Sequence, residues 1–289
     1  MLYFLALVCL STSPNWAKLN QMPAEVLGFW RLSIAAALLA VYLLSKKSFT
    51  LLNYNKKNKW VFISGFFMFL HLWTYKYAAK TTLISNVMVL FASNPIWASV
   101  GGALFFKEKL HIRTYISYFL ATLSIIFLVY QNLNFSSENV VGNIVSLLSA
   151  FFYAAFMLSG KKARLIFDVQ TTSFYQYFTC ASFFFITSVV TQKNFIQDYE
   201  SISWISVLGL VALPTFLGHF LLTKLVSQMD ISVLTCGKLI EPLFASLWAY
   251  WLFKENISSS VLISFALIII AVLILFWPQL KENVKLRIK

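Results

Sequence analysis

Charged residues are scarce in this sequence, where Asp, Glu, Lys and Arg together make up only 11% of 289 residues. An ordinary soluble domain has about 25% charged residues. Hydrophobic residues make up 60% of the chain, and the mean hydropathy is +0.76. These values exclude a fold whose main solvent is water, and they indicate an integral membrane protein that crosses the bilayer several times.

Cysteines are few and the common catalytic motifs are missing. Cys9, Cys180 and Cys236 lie in apolar stretches and form no CxxC pair, which excludes a disulfide framework or a cysteine-based zinc site. The sequence contains no Walker A motif for ATP, no GxSxG and no HExxH. We therefore predict no cofactor, no metal site and no enzyme activity.

Ten apolar runs separated by short polar breaks are long enough to form membrane-spanning helices. A span needs about 20 apolar residues to cross a hydrocarbon core about 30 Å thick. The first run has no basic segment before it, so we interpret it as a span and not as a signal peptide. The predicted spans are 2–19, 23–44, 60–78, 82–105, 112–130, 142–160, 171–191, 203–224, 233–253 and 258–277.

The positions of the basic residues predict the orientation of the spans. If the N-terminus is cytoplasmic, 16 of the 23 Lys and Arg residues fall in cytoplasmic segments. Because basic residues accumulate on the cytoplasmic side, we predict that both termini are cytoplasmic and that residues 131–141 and 192–202 face outward. This pattern also explains the net charge of +13, so we predict no nucleic-acid partner.

The two halves of the chain carry the same landmarks in the same order. Each half contains a His-x4-Lys segment, HLWTYK in the first and HFLLTK in the second. Each then reaches a proline that is followed 13 residues later by a glutamate within an FKE sequence. The corresponding pairs are His71 and His219, Pro95 and Pro242, and Glu108 and Glu255.

This internal repeat predicts the architecture and the class of function. Each half contains five spans, and an odd number forces the second copy to enter the membrane in the opposite sense. We predict an all-α integral membrane fold of ten transmembrane helices, with residues 1–137 and 138–289 as two inverted five-helix repeats. Many secondary transporters are built in this way, because two such halves can expose one midplane site alternately to either side.

The same residues resemble the EamA-type family of the drug/metabolite transporter superfamily. The resemblance rests on NPIWASVGGALFFKEKL at the end of the fourth span, EPLFASLWAYWLFKEN at the end of the ninth, and GFWRLSIAAALL, which is similar to the family's Arg-containing second helix. It implies a cavity lined by helices 1–4 and 6–9, with helices 5 and 10 peripheral. The first span departs from the family pattern, because it carries STSPNWAK in place of a Gly-rich segment with Trp-Gly.

Ionisable residues inside spans are candidates for the substrate site, because a charge at the bilayer centre costs about 2.5–3.5 kcal/mol on insertion scales. Glu241 and Lys238 are three residues apart, so they share one face of the ninth helix and can pair with each other or contact a ligand. Pro242 lacks an N–H group and leaves a carbonyl one turn earlier without its helical donor. Asn94 is the repeat counterpart of Glu241. The alternative for Lys238 and Glu241 is a self-contained ion pair that only rigidifies the helix. The alternative for Asn94 is an amide that stabilises a helix kink.

Three further residues extend this set. Arg31, in the second span, has a guanidinium fork that suits a carboxylate; snorkelling outward or pairing with Glu25 is the alternative. His71 and His219 occupy related positions in the two repeats, and histidines suit a carrier that is coupled to protons. Hydrogen-bonded packing histidines are the alternative for both.

Aromatic residues make up 18% of the chain and could form a cage for a cation. Most of them must face lipid or the membrane interface. As site candidates we predict Trp73, Tyr75, Trp97 and Tyr175, and we note Trp30, Tyr153 and Trp248 as further aromatic residues.

The sequence thus predicts a secondary transporter that moves a small zwitterionic or cationic metabolite, such as an amino acid, across a bacterial inner membrane. Abundant Phe, Lys, Asn and Ile with little Gly are typical of a host-dependent bacterium, which favours an alternative in which the protein takes up S-adenosylmethionine, choline or a similar nutrient. A structural membrane subunit without transport and an intramembrane enzyme using Ser64, Gly65 and His71 are alternatives of other classes. The expected partners are the substrate and the lipid bilayer, while proton coupling and the choice between monomer and homodimer stay open.

Overall fold

The chain is described by a computed structural model that covers most of its length. The described residues are 2–49, 56, 58–81, 87, 90–91, 93–109, 111–130, 137–254, 262–263, 266–274 and 277. They form helices and connecting turns, and no strand occurs among them. The all-α prediction is therefore confirmed for this part of the chain.

The helices of the first half follow the predicted apolar runs closely. They are α1 (Leu2–Ser11), α2 (Ser13–Leu19), α3 (Ala24–Ser45), α4 (Lys59–Thr81), α5 (Asn94–Phe106) and α6 (Ile112–Tyr130). The predicted span 2–19 is interrupted at Thr12, because Pro14 stands in the first turn of α2 and cannot continue the preceding helix. The predicted span 82–105 is described mainly at its C-terminal end, which forms α5. Most of residues 82–92 lie outside the described residues.

The second half contains two spans with irregular centres. Its elements are α7 (Ser137–Arg164), α8 (Val169–Val190), α9 (Ser201–Leu210), a π-helix (Val211–Phe220), α10 (Leu221–Leu225), α11 (Ile231–Gly237), a 3₁₀ turn (Lys238–Ile240) and α12 (Glu241–Phe253). π-Helical turns occur often at functional sites, and this one contains Pro214. Of the predicted span 258–277, residues 262–263, 266–274 and 277 are helical, and the rest lies outside the described residues.

Four helical stretches of the described chain are long and apolar enough to cross a membrane. They are Ala24–Ser45, Val140–Arg164, Ser201–Leu225 and Ile231–Phe253. These helices support the membrane location, although fewer stretches meet this measure than the ten predicted from the sequence. Two of the other predicted spans show why they do not meet this measure. The first is divided into two short helices, and α8 contains a series of polar Thr, Ser and Gln residues.

Helices from the two halves pack against each other. α4 lies along α7 and α8, α3 lies along α8, and α1 packs on the π-helix. The close approach of α4 and α8 depends on Gly65, where an added Cβ would lie 2.8 Å from the carbonyl oxygen of Gln176. Beside it, the Gln176 amide donates to Ser64 Oγ at 2.7 Å, and Ser64 donates to the Phe156 carbonyl at 3.1 Å. The Ser64 hydroxyl is therefore engaged in packing between α4, α7 and α8.

Candidate substrate-binding site

A polar cavity of about 700 Å³ lies where α4, α5, the π-helix and the broken ninth span meet. We call it the central cavity. Its walls combine apolar and aromatic side chains with a few charged and polar groups, which is the usual composition of a small-molecule site. It is lined by Leu10, Ser11, Ser13, Pro14, His71, Leu72, Tyr75, Phe91, Asn94, His219, Lys238, Leu239, Glu241 and Ala245.

Lys238 and Glu241 form an ion pair at the break of the ninth span, with Nζ and Oε1 3.1 Å apart. Both side chains are largely buried, at 5% and 15% exposure. Lys238 Nζ also lies 3.9 Å from the ring centroid of Tyr153, so this aromatic face stabilises the cation within the protein. The Glu241 N–H bonds to the Lys238 carbonyl through the 3₁₀ turn. The carbonyl that Pro242 was expected to leave free is therefore occupied.

Asn94 begins α5 as Glu241 begins α12, and each residue is followed by a proline that suits the first helical turn. The Asn94 side chain is 2% exposed, and its Nδ2 donates to the Phe91 carbonyl at 2.9 Å. Because a carbonyl can only accept, this bond fixes the amide orientation. Asn94 Oδ1 is left buried with no hydrogen-bond partner among the described residues, so it is an acceptor available to a ligand.

The two candidate histidines both line the central cavity but differ in their partners. His71 Nδ1 lies 3.0 Å from Ser149 Oγ and 3.3 Å from the Ser149 carbonyl oxygen, and Ser149 Oγ donates back to the His71 carbonyl. These partners place a hydrogen on Nδ1, because the Ser149 oxygens accept from it. His219 Nδ1 is buried with no hydrogen-bond partner in the described part of the chain.

Arg31 lies in a second cavity of about 1020 Å³, which we call the basic cavity. The guanidinium neither snorkels nor pairs with Glu25, because it is 1% exposed and its Nε donates to Thr215 Oγ1 at 2.8 Å. Glu25 instead accepts from Trp73 Nε1 at 3.0 Å. The basic cavity is lined by Ser13, Pro14, Ala17, Lys18, Asn20, Met22, Ala24, Leu27, Arg31, Leu72, Tyr75, Lys76 and Val87.

Of the four aromatic candidates, Tyr75 alone lines the central cavity or the basic cavity, and it lines both of them. Trp73 stacks on Phe69, and its Nε1 donates a hydrogen bond to Glu25. Trp97 is 43% exposed and packs edge-on against Phe151, and Tyr175 packs among phenylalanines. The structure therefore brings Glu241, Lys238, Asn94, His71, His219 and Tyr75 together, with Arg31 in the adjoining cavity and Trp73, Trp97 and Tyr175 outside both.

Sequence reasoning used Glu108 only as a landmark of the repeat, but its carboxylate joins three helices. It pairs with Lys161 Nζ of α7 at 2.7 Å. It also accepts from the N–H of Ile231 at 3.1 Å and from Ser232 Oγ at 3.3 Å, at the start of α11. A carboxylate at a helix N-terminus is favourable, since the N-terminal N–H groups carry partial positive charge. We call Glu108, Lys161, Ile231 and Ser232 the Glu108 clamp.

The fold and the cavities define a helical membrane protein with a polar site enclosed between its two halves. The model of the EamA-like transporter family matches residues 1–130 and 140–277. The chain therefore belongs to this family, whose members are multi-pass membrane transporters.

A solved structure described only as the crystal structure of a protein has a similar fold. Its TM-score is 0.80 over 95% of this chain and 95% of that one, at 15% identity. At this identity the likeness shows the fold alone. None of the curated proteins is a match for the chain.

Proposed function

We propose that the protein is a secondary transporter that moves a small zwitterionic or cationic metabolite across the bacterial inner membrane by alternating access. The observation that carries this proposal is the buried Lys238–Glu241 ion pair at the break of the ninth span, which lines a cavity beside the unpaired acceptor Asn94 Oδ1. Charged groups this deep in a membrane helix are costly and usually mark a substrate or ion pathway. Discontinuous helices at a midplane site are a recurrent feature of such carriers.

The contacts between helices support a chain of ten spans in two inverted repeats. A two-fold relation between the repeats exchanges span 1 with 6, 3 with 8, and 4 with 9. A contact between two spans must therefore recur between the two spans with which they are exchanged. The contact of α1 with the π-helix (spans 1 and 8) corresponds to that of α7 with α4 (spans 6 and 3). The contact of α5 with α7 (spans 4 and 6) corresponds to that of α12 with α1 (spans 9 and 1).

The ends of spans 4 and 9 support the same relation. α5 and α12 are both 13 residues long, and each ends at a lysine with left-handed backbone, Lys107 at φ 55° and Lys254 at φ 56°. Lys161 Nζ lies 5.0 Å from the Phe106 ring, and Lys18 Nζ lies 4.5 Å from the Phe253 ring. The two repeats thus place a lysine of their first helix against the phenylalanine that ends the fourth helix of the other repeat.

We assign the structure to the state that is open to the outside. The basic cavity contains Lys18 and Lys76, which the predicted topology places at the outer ends of their spans, and Asn20, which it places in the outer connection after the first span. The Glu108 clamp joins spans 4, 6 and 9 at the opposite end, where the predicted topology places the cytoplasm. Alternating access requires a site that opens to one side while it is closed at the other.

A thermal-shift screen tests the proposal at the level of binding. The purified protein is heated with amino acids, nucleosides, S-adenosylmethionine and quaternary amines, because a ligand that binds only the folded state raises its melting temperature. We expect a small zwitterion or cation to stabilise the protein. The absence of any stabilising compound would oppose a carrier for these classes and favour a structural subunit.

The topology makes a separate prediction. Lys46 and Lys193 are exposed, and the basic-residue pattern places them on opposite sides of the membrane. We expect a membrane-impermeant thiol reagent added to intact cells to label Lys193→Cys and not Lys46→Cys. The native cysteines are buried and give little background. Labelling of Lys46→Cys from the outside would overturn the orientation.

Proton coupling is a further prediction, based on Glu241, His71 and His219 in one cavity. We expect an imposed pH gradient to drive uptake of the stabilising compound into proteoliposomes, and collapse of the gradient by an ionophore to abolish the accumulation. Flux that ignores a gradient of either direction would show a facilitator instead.

A further inference from the structure

We propose that Arg31 is a binding site for a carboxylate, so that the substrate must carry one and a purely cationic compound is excluded. This proposal rests on the proposed transport function and narrows its substrate class. The site lies in the basic cavity, beside the central cavity that contains Glu241.

The guanidinium of Arg31 is buried with part of its hydrogen-bonding capacity unused. Thr215 Oγ1 donates to the Leu210 carbonyl at 2.7 Å, so its lone pair is available and accepts from Arg31 Nε. Arg31 Nη2 is buried and has no hydrogen-bond partner among the described residues. A buried donor without an acceptor is costly, and a charged one more so. A ligand oxygen at Nη2 would remove this cost.

The charge of Arg31 also lacks a counter-ion within the described chain. Arg31 belongs neither to the ion pair of Lys161 with Glu108 nor to that of Lys238 with Glu241. Since buried charges in proteins are normally paired, an anionic group of the substrate is the partner that this position lacks.

The surroundings favour an anion at this end of the site. Lys18 and Lys76 line the basic cavity together with Arg31, and none of its lining residues is acidic. The planar guanidinium fork matches a carboxylate, which it can bind through two parallel hydrogen bonds.

The two cavities adjoin and have complementary ends. They share Ser13, Pro14, Leu72 and Tyr75 as wall residues. The acceptors Glu241 and Asn94 Oδ1 lie at the other end. A compound with a carboxylate at Arg31 and an ammonium group near Glu241 would satisfy both ends at once.

The test compares the standard L-amino acids with their carboxamides, which keep the ammonium group and the side chain but lose the negative charge. Affinities are measured by thermal shift on the purified full-length protein. We expect the best-binding amino acid to bind the wild type at least about tenfold more tightly than its amide, or roughly 1.4 kcal/mol. In Arg31→Gln, the affinity for the acid should fall to the affinity for the amide, and the affinity for the amide should not change.

Equal affinity of acid and amide for the wild type, or an equal loss of both in Arg31→Gln, overturns the carboxylate site. Amides that bind and are carried would then still support a transporter. If the folded wild type binds and carries a quaternary amine but no acid and no amide, the carboxylate site is overturned and the transport function stands. If no compound of any tested class binds or is carried, both proposals fail. Should Arg31→Gln not fold, Arg31→Lys decides: a smaller ratio of acid to amide affinity than in the wild type supports the site, and an unchanged ratio overturns it.

Discussion

Glu241→Gln is expected to weaken substrate binding by at least about tenfold, or roughly 1.4 kcal/mol, and to reduce uptake correspondingly. The substitution keeps the shape of the side chain and removes the charge that faces the central cavity. It also leaves Lys238 buried without its partner at 3.1 Å, so we expect a lower melting temperature as well. Breaking a buried pair on one side typically costs about 3–5 kcal/mol. Uptake into proteoliposomes is therefore measured per folded molecule.

A double variant separates ligand contact from simple stabilisation. Lys238→Met with Glu241→Gln removes both charges, and replacing a whole buried ion pair is often neutral for stability. We expect the double variant to regain stability without regaining binding or uptake. Asp168→Ala is the matched control, because it removes the cap that Asp168 gives to Thr171 N–H at 2.7 Å, outside the cavities. It should cost about 1 kcal/mol of stability and leave uptake per folded molecule unchanged. Uptake at the wild-type level in the double variant would show that the pair is only structural.

Glu108→Gln is expected to raise access to the central cavity from the cytoplasmic side by about tenfold. The substitution removes the charge that binds Lys161 and caps Ile231. Hydrogen bonds to charged groups contribute about 1.5–3 kcal/mol and neutral ones about 0.5–1.5 kcal/mol, so the clamp should weaken by about 1–1.5 kcal/mol. That difference shifts the balance between the two states by roughly a factor of ten.

The measurement uses Ser13→Cys, which lines both cavities, in a variant whose three native cysteines are replaced by alanine. The rate of labelling by an impermeant reagent is followed in inside-out vesicles, with and without Glu108→Gln. Lys109→Gln is the control, because it removes an exposed charge at the same end of the protein. It should change the rate less than about twofold, since exposed charges contribute little. A rate in Glu108→Gln that equals the control value would contradict the role of the clamp.

Features that depend on neighbouring residues of one helix could be predicted from the sequence. The spacing of Lys238 and Glu241 indicated that they can pair, and the structure contains that pair. The proline after Asn94 and Glu241 indicated irregular helices, and both residues begin a new helix in the structure. Such features follow from helical geometry and from the missing N–H group of proline.

Features that depend on contacts between spans could not be predicted in this way. Glu108 meets Ile231 across 123 residues of sequence, and nothing in the FKE motif indicates that partner. The aromatic candidates were ambiguous for the same reason. The sequence does not distinguish a tryptophan that lies in a cavity from one that, like Trp97, lies at the surface. Tyr153 became important only because α7 places its ring over Lys238.

Uptake by proteoliposomes tests the central claim most directly. Purified protein is reconstituted, and entry of the labelled amino acid that stabilises it best in the thermal-shift screen is compared between wild type, Glu241→Gln and empty liposomes. A carrier predicts saturable uptake by the wild type, competition by the unlabelled compound, and a rate in Glu241→Gln reduced by at least about tenfold. The transport function would be contradicted if folded wild-type protein binds the compound but its liposomes take the compound up no faster than empty liposomes do.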